Sequence, residues 1–151
     1  MKVVEIKKYG GPEVLEIGSR EIPVLKENEV LIKVKAAGIN RPDILQREGN
    51  YPPPKDSSDI LGLEIAGEVV KVGKKVKNIK IIDKVCALVS GGGYAEYCSA
   101  PFTQCLPIPK GLTFEEACVL PETFFTIWFN LFIKNKVKKK QKILIHGGSG
   151  G

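Results

Sequence analysis

Apolar and polar residues alternate in short runs over most of the chain. Val3 to Ile6 reads as a first strand, followed by a turn at Gly10-Gly11-Pro12. Val14 to Ile17 alternates as a half-buried strand does, and Val30 to Ala36 alternates over a longer span. Leu63 to Val72 is another strand, and Gly67 inside it predicts a bulge or a tight bend. Tyr94 to Cys98 and Cys105 to Ile108 complete the set. A short helix is predicted near Asn40, with Pro42 in its first turn and Asp43 at its positive end. Tyr51-Pro52-Pro53-Pro54 excludes helix and predicts a stiff loop. Short strands at irregular spacing predict a mainly β fold, a partly open barrel rather than a layered α/β domain.

The period changes after residue 112. Thr113-Phe114-Glu115-Glu116 has the form of a capping box, predicting a helix to about Leu120 that breaks at Pro121. A second helix, from about Thr123 to Lys134, is apolar nearly all round, which predicts burial between layers or domains. Ile143 to Ile145 then runs directly into His146-Gly147-Gly148-Ser149-Gly150-Gly151. A parallel strand feeding a glycine turn is how a dinucleotide pyrophosphate is cradled. By itself Gly-Gly-Ser-Gly-Gly also resembles a flexible linker. His146, the only histidine, is expected simply to end the strand. The expected organisation is a barrel domain over residues 1–121 and, over 122–151, the truncated start of an α/β Rossmann domain.

Composition changes this picture little. Apolar residues are 43% of the chain and charged residues 26%, ordinary values for a globular protein. The net charge of +6 is carried by a Lys-rich window at 134, 136, 138, 139, 140 and 142. It lacks interleaved Arg and aromatics, so a solvated linker is expected and a nucleic-acid partner is not. The four cysteines form no C-x-x-C pair, and the charged N-terminal residues contain no apolar leader core. Free thiols in a reducing compartment, hence a cytoplasmic protein, are the expectation. The run Phe124 to Ile133, interrupted by Asn130, is read as too short for a membrane span.

Five segments carry a resemblance: Ala37 to Asp43, Ile60 to Gly67, Gly91 to Tyr97, Ile108 to Ala117 and Pro121 to Leu131. Together, and in this order, they resemble the N-terminal domain of medium-chain dehydrogenases/reductases, nearest to the zinc-independent quinone oxidoreductase branch. The resemblance implies a chaperonin-10-like (GroES-like) barrel followed by a Rossmann domain. It implies NADPH as cofactor, with NADH left open, a quinone or conjugated carbonyl as substrate, and a homodimer formed through the second domain. Zinc members carry a cysteine where Asn40 stands and a histidine where Leu63 stands; a catalytic zinc needs three such ligands, so no metal is expected. Their structural zinc lobe needs closely spaced cysteines, whereas the intervals here are 12, 7 and 13 residues. A quinone is already a strong electron acceptor, so hydride transfer needs position and desolvation rather than a Lewis acid, and no acid or base side chain is assigned. Alternatives are a 2-alkenal or enoyl reductase of the same zinc-free superfamily, and a non-enzymatic use of the barrel.

The resemblance also assigns roles. Asn40 and Thr126 face the nicotinamide, and Gly147, Gly150 and Gly151 belong to the phosphate turn. Tyr51, Asn40 and Gly92 face the substrate. Each position has a plainer reading. Asn40 also suits a helix N-cap, and the Thr126 hydroxyl a bond to a carbonyl one turn back. Tyr51 equally suits a surface aromatic over the proline loop, and Gly92 an ordinary turn. Leu45 stands where some quinone reductases carry tyrosine, a departure that touches the substrate side.

Overall fold

The computed structural model describes residues 1–148. Seven strands form in the expected β-rich region: β1 (Lys2–Ile6), β2 (Leu15–Ser19), β3 (Glu29–Ala37), β4 (Glu64–Val72), β5 (Lys84–Leu88), β6 (Tyr97–Pro101) and β7 (Cys105–Pro107). β1 and β2 pair as a hairpin. The others make one antiparallel sheet in the order β6-β3-β4-β5-β7, curled into a half-barrel. The hairpin is stitched to it at Val4 and Glu96, whose amides donate to Tyr94 O and Lys2 O.

Period-two alternation sets the two faces of the sheet. Val30, Ile32, Ile65, Val69, Val85, Ala87, Cys98 and Ala100 fill its concave core. Ala66 and Cys86, on the opposite face, pack under Ala117 and Cys118. All four cysteines are free and buried.

The expected irregularity at Gly67 is real, but the bulge lies across from it. Val34 pairs with Gly67 and Ala36 with Ala66, so Lys35 is the unpaired extra residue on β3. A Cβ on Gly67 would stand 2.2 Å from the Lys33 carbonyl oxygen, so glycine is what admits the bulged strand. Val14 is buried in a 3-10 turn, Pro12–Val14, ahead of β2 rather than inside it. Strand β5 has no counterpart in the sequence reading, because it is buried on both faces and shows no alternation.

The described residues form three α-helices: α1 (Arg41–Arg47) between β3 and β4, and after β7 α2 (Phe114–Ala117) and α3 (Pro121–Trp128), the last continuing as a π-helical segment, Phe129–Lys134. The Thr113–Glu116 capping box forms as expected. Pro121 starts a helix rather than merely ending one: it stands at N1, where its missing N–H costs nothing.

Nothing among the described residues covers the apolar helix: Phe124, Trp128, Phe129 and Ile133 are each more than half exposed. One expectation is overturned here. Ile143 to Ile145 makes no strand; it is exposed and pairs with no strand among the described residues. Counted through from Phe114 to Lys134, moreover, the helical stretch reaches 21 residues. By length and composition alone that suffices to cross a membrane, although it includes Glu115, Glu116 and Glu122.

Candidate active site

The site is assembled where β3 runs into α1, where β4 begins, and where α3 begins. Asn40 is the N-cap of α1, and its amide donates to Asp43 Oδ2 at 2.8 Å, closing a capping box. Its side chain turns inward, with Nδ2 donating to Glu64 Oε1 at 2.9 Å. The other Glu64 oxygen accepts from the Glu122 amide at 2.9 Å, in the first turn of α3. One buried carboxylate therefore ties three chain segments together.

A second buried carboxylate, Asp43, holds the rest. Oδ1 accepts from the Gly62 amide at 3.1 Å, and Oδ2 from the Tyr94 hydroxyl at 3.0 Å. The Tyr94 hydroxyl also lies 3.2 Å from Gly38 O. Burial, and then the Asp43 charge, push the Tyr94 phenol well above its usual range, so it remains a donor. Asp43 and Glu64 are both at least 97% buried. Buried carboxylates without a cation are tolerated only when several donors meet them, as here.

Beside this network lies a cleft of about 190 Å³ lined by Pro42, Tyr51, Leu63, Leu88, Gly91 and Glu122, among others. Complete ligand pockets run to roughly 300–1,000 Å³, so this is a walled corner rather than a finished pocket. Tyr51 stands on the stiff proline loop at its mouth, 41% exposed. The same ring also borders a neighbouring hollow of about 400 Å³ with Tyr9 and Gly49.

The sequence-assigned residues converge only in part. Tyr51 lines the cleft, and Asn40 reaches it through Glu64 and Glu122. Gly92 does not: it lines a separate cavity of about 370 Å³ with Met1, Glu29, Tyr97 and Cys98, while its neighbour Gly91 borders both spaces. Its φ of +89° also fits the plain turn. Thr126 lies one turn along α3 from Glu122, on the same helical face. Its exposed hydroxyl makes no hydrogen bond among the described residues, so the back-bond to a carbonyl one turn earlier is not formed. Gly147 has a φ of +67°, the left-handed region that suits a glycine turn. Gly150 and Gly151 lie outside the described residues.

Glu64 and Glu122 were not singled out from sequence. A lone acidic residue opening a strand or a helix carries no periodic signal, and only the fold brings the two together. Among the described residues no group of three or more Cys, His, Asp or Glu is arranged to hold a metal.

Comparison with known proteins agrees with this architecture. Residues 26–110 match the alcohol dehydrogenase GroES-like domain. A quinone oxidoreductase of Sus scrofa is 37% identical over the whole chain, which spans 46% of that protein. The solved Escherichia coli quinone oxidoreductase complexed with NADPH superposes with a TM-score of 0.76 at 35% identity, covering 87% of this chain and 40% of that one. CurK enoyl reductase superposes with a TM-score of 0.80 at 26% identity, covering 91% and 44%. This chain thus spans between about a third and just under half of the length of curated relatives it matches. Half-barrel fold and family match converge: the chain belongs to the GroES-like domain family of alcohol dehydrogenases, within the medium-chain dehydrogenase/reductase superfamily.

Proposed function

We propose that this chain forms the substrate-side half of an NADPH-dependent quinone oxidoreductase that transfers hydride directly, without zinc. The observation that carries this reading is the Asn40–Glu64–Glu122 linkage beside the Tyr51 cleft. At the two positions where zinc relatives carry ligands, this chain has an amide already committed to Glu64 and an aliphatic Leu63 lining the cleft. Both oxygens of the remaining carboxylate, Glu64, are engaged by protein donors.

The residues present fit a nicotinamide cofactor. Asn40 and the free Thr126 hydroxyl would hold its nicotinamide end, and the turn beginning at Gly147 its phosphates. When bound, the dihydronicotinamide supplies the hydride. The chain's part is to place the acceptor: Tyr51 offers a ring face for stacking at little ordering cost. Leu63 and Leu88 exclude water from the reacting edge. The likeness to quinone oxidoreductases, one of them solved with NADPH, supports this choice of acceptor and cofactor.

The likeness to CurK enoyl reductase favours a second reading, reduction of a conjugated carbonyl in the same cleft. Steady-state assay of the full-length protein with NADPH and NADH against a panel of quinones and 2-alkenals separates the two. Turnover of quinones at least tenfold more efficient than of alkenals is expected; the reverse would replace the quinone reading with the enone one. A cytoplasmic homodimer belongs to the same proposal, and sedimentation of the full-length protein tests its dimeric part.

A further inference from the structure

Reduction of a quinone by hydride leaves an anion that needs a proton, and the lining of the cleft contains a group able to give one. Glu122 lines the cleft together with Tyr51 and Leu63. Its backbone is anchored, because its amide donates to Glu64 Oε2 at 2.9 Å. Its carboxyl is half-buried in the first turn of α3. The titratable groups around this corner are Asp43 from α1 and Glu64 from β4, whose charges act on Glu122, and Tyr94, Cys86 and Cys118, on which the Glu64 charge acts. None of them is cationic, and neither Asp43, Glu64 nor Glu122 makes an ion pair among the described residues. Burial, and then the charges of Glu64 and Asp43, push the Glu122 carboxyl above its ordinary range. Of the three carboxyls, Glu64 and Asp43 are committed as acceptors to fixed protein donors, whereas no protein donor contacts the Glu122 carboxylate. The carboxyl that lines the cleft is thus the one of the three left without a protein donor, in surroundings that favour its protonated form.

We propose that Glu122 is the general acid of the reaction. As hydride reaches the quinone, a quinone oxygen takes the proton from the Glu122 carboxyl, directly or through one water. The O–H bond of the acid breaks and the O–H bond of the hydroquinone forms. The two electrons come from the hydride donor, which is oxidised, and solvent returns a proton to the carboxylate. This role rests on the quinone reading.

The test is Glu122→Gln in the full-length enzyme, with Glu122→Asp as a variant that keeps an acid. Gln retains shape and the backbone bond to Glu64, so folding is expected to survive. For benzoquinones kcat should fall about 100-fold, within the range for loss of a general acid. KM for NADPH should be unchanged, and the decline of kcat with rising pH should disappear. The loss should shrink for halogenated quinones, whose hydroquinones are stronger acids and need less help. Glu122→Asp should recover part of the rate and restore the pH limb. An equal loss across all quinones with the limb retained would show a merely structural role and overturn the proposal. So would wild-type rates in the Gln variant. Independently of turnover, carbon-13 titration of the Glu122 carboxyl in the full-length protein should show it retaining its proton above the ordinary glutamate range; an ordinary midpoint overturns the proposal. A wild-type enzyme that turns over no quinone overturns the quinone reading and this role together, whereas normal turnover with an unaltered Gln profile overturns this role alone.

Discussion

Tyr51 and the buried thiols show how far single residues carry the argument. Tyr51 precedes three consecutive prolines, so its loop has little backbone freedom left to lose on stacking. Tyr51→Ala in the full-length enzyme is expected to lower kcat/KM for quinones about tenfold, consistent with a lost aromatic contact of roughly 0.5–1.5 kcal/mol. KM for NADPH should stay within twofold. Unchanged kinetics across several quinones would return Tyr51 to a covering role over its loop. Cys98 and Cys105 make the opposite point: no reactivity is expected of them. Burial pushes both thiols up to about 12. In the unfolded chain they ionise near 9, so between these values the native state keeps protons that the unfolded chain has lost. Their contribution to stability is complete below pH 9 and falls as pH rises above it, by up to about 1.4 kcal/mol per pH unit for each thiol. Urea midpoints measured from pH 8 to 10.5 should decline above pH 9, less steeply in a Cys98→Ala/Cys105→Ala protein. Both thiols should also resist alkylation at pH 8 in the native state.

Among the elements, periodicity identified those that keep one wet face and failed on those that do not. β3 was legible because it alternates; β2 alternates in sequence too, but it is not half-buried, since Leu15 and Ile17 are both exposed. β5 was missed because Val85, Cys86 and Ala87 are all buried, one set in the core and the other beneath α2. The β4–β5 turn carries a local conflict. Ile82 has a φ of +71° and is 78% exposed, a conformation that β-branched side chains rarely adopt. Left-handed backbone costs an L-residue about 1–2 kcal/mol, whereas glycine's extra freedom in the unfolded chain costs about 0.5–1 kcal/mol. Ile82→Gly is therefore expected to stabilise the fold by about 0.5–1 kcal/mol, read as a higher urea midpoint with an unchanged slope. A lower midpoint would mean that the Ile82 side chain makes packing contacts its exposure conceals.

At the scale of the whole molecule, the apolar face of α3 and its π-helical extension dominates. Phe124, Trp128, Phe129 and Ile133 present a contiguous exposed surface of the kind that drives association. The 151-residue chain is expected to self-associate at micromolar concentration in sedimentation velocity, and Phe124→Lys with Phe129→Lys to reduce this. The same chain should bind NADPH more weakly than 100 μM by calorimetry. On the proposed assignment its described residues would supply only nicotinamide-side contacts, and they form no βαβ unit, whose helix N-terminus would face the pyrophosphate. Micromolar NADPH binding would mean that the cofactor contacts lie elsewhere in the half-barrel.

The amino-acid sequence by itself determined the β-rich barrel, the α1 and α2 starts, the stiff Tyr51 loop and the free cysteines. Each of these rests on a short-range signal: alternation, capping chemistry, proline geometry, cysteine spacing. Only the tertiary structure decided what surrounds the chemistry. It joined Asn40 to Glu64 across 24 positions and Glu64 to Glu122 across 58, and it set Gly92 on a cavity apart from the Tyr51 cleft. It also left Ile143 to Ile145 without a ladder, since a strand is defined by the partner it pairs with as much as by its own residues. A buried carboxylate chooses its donors from whatever segments the sheet brings within 3 Å, and no periodicity in the chain records that choice.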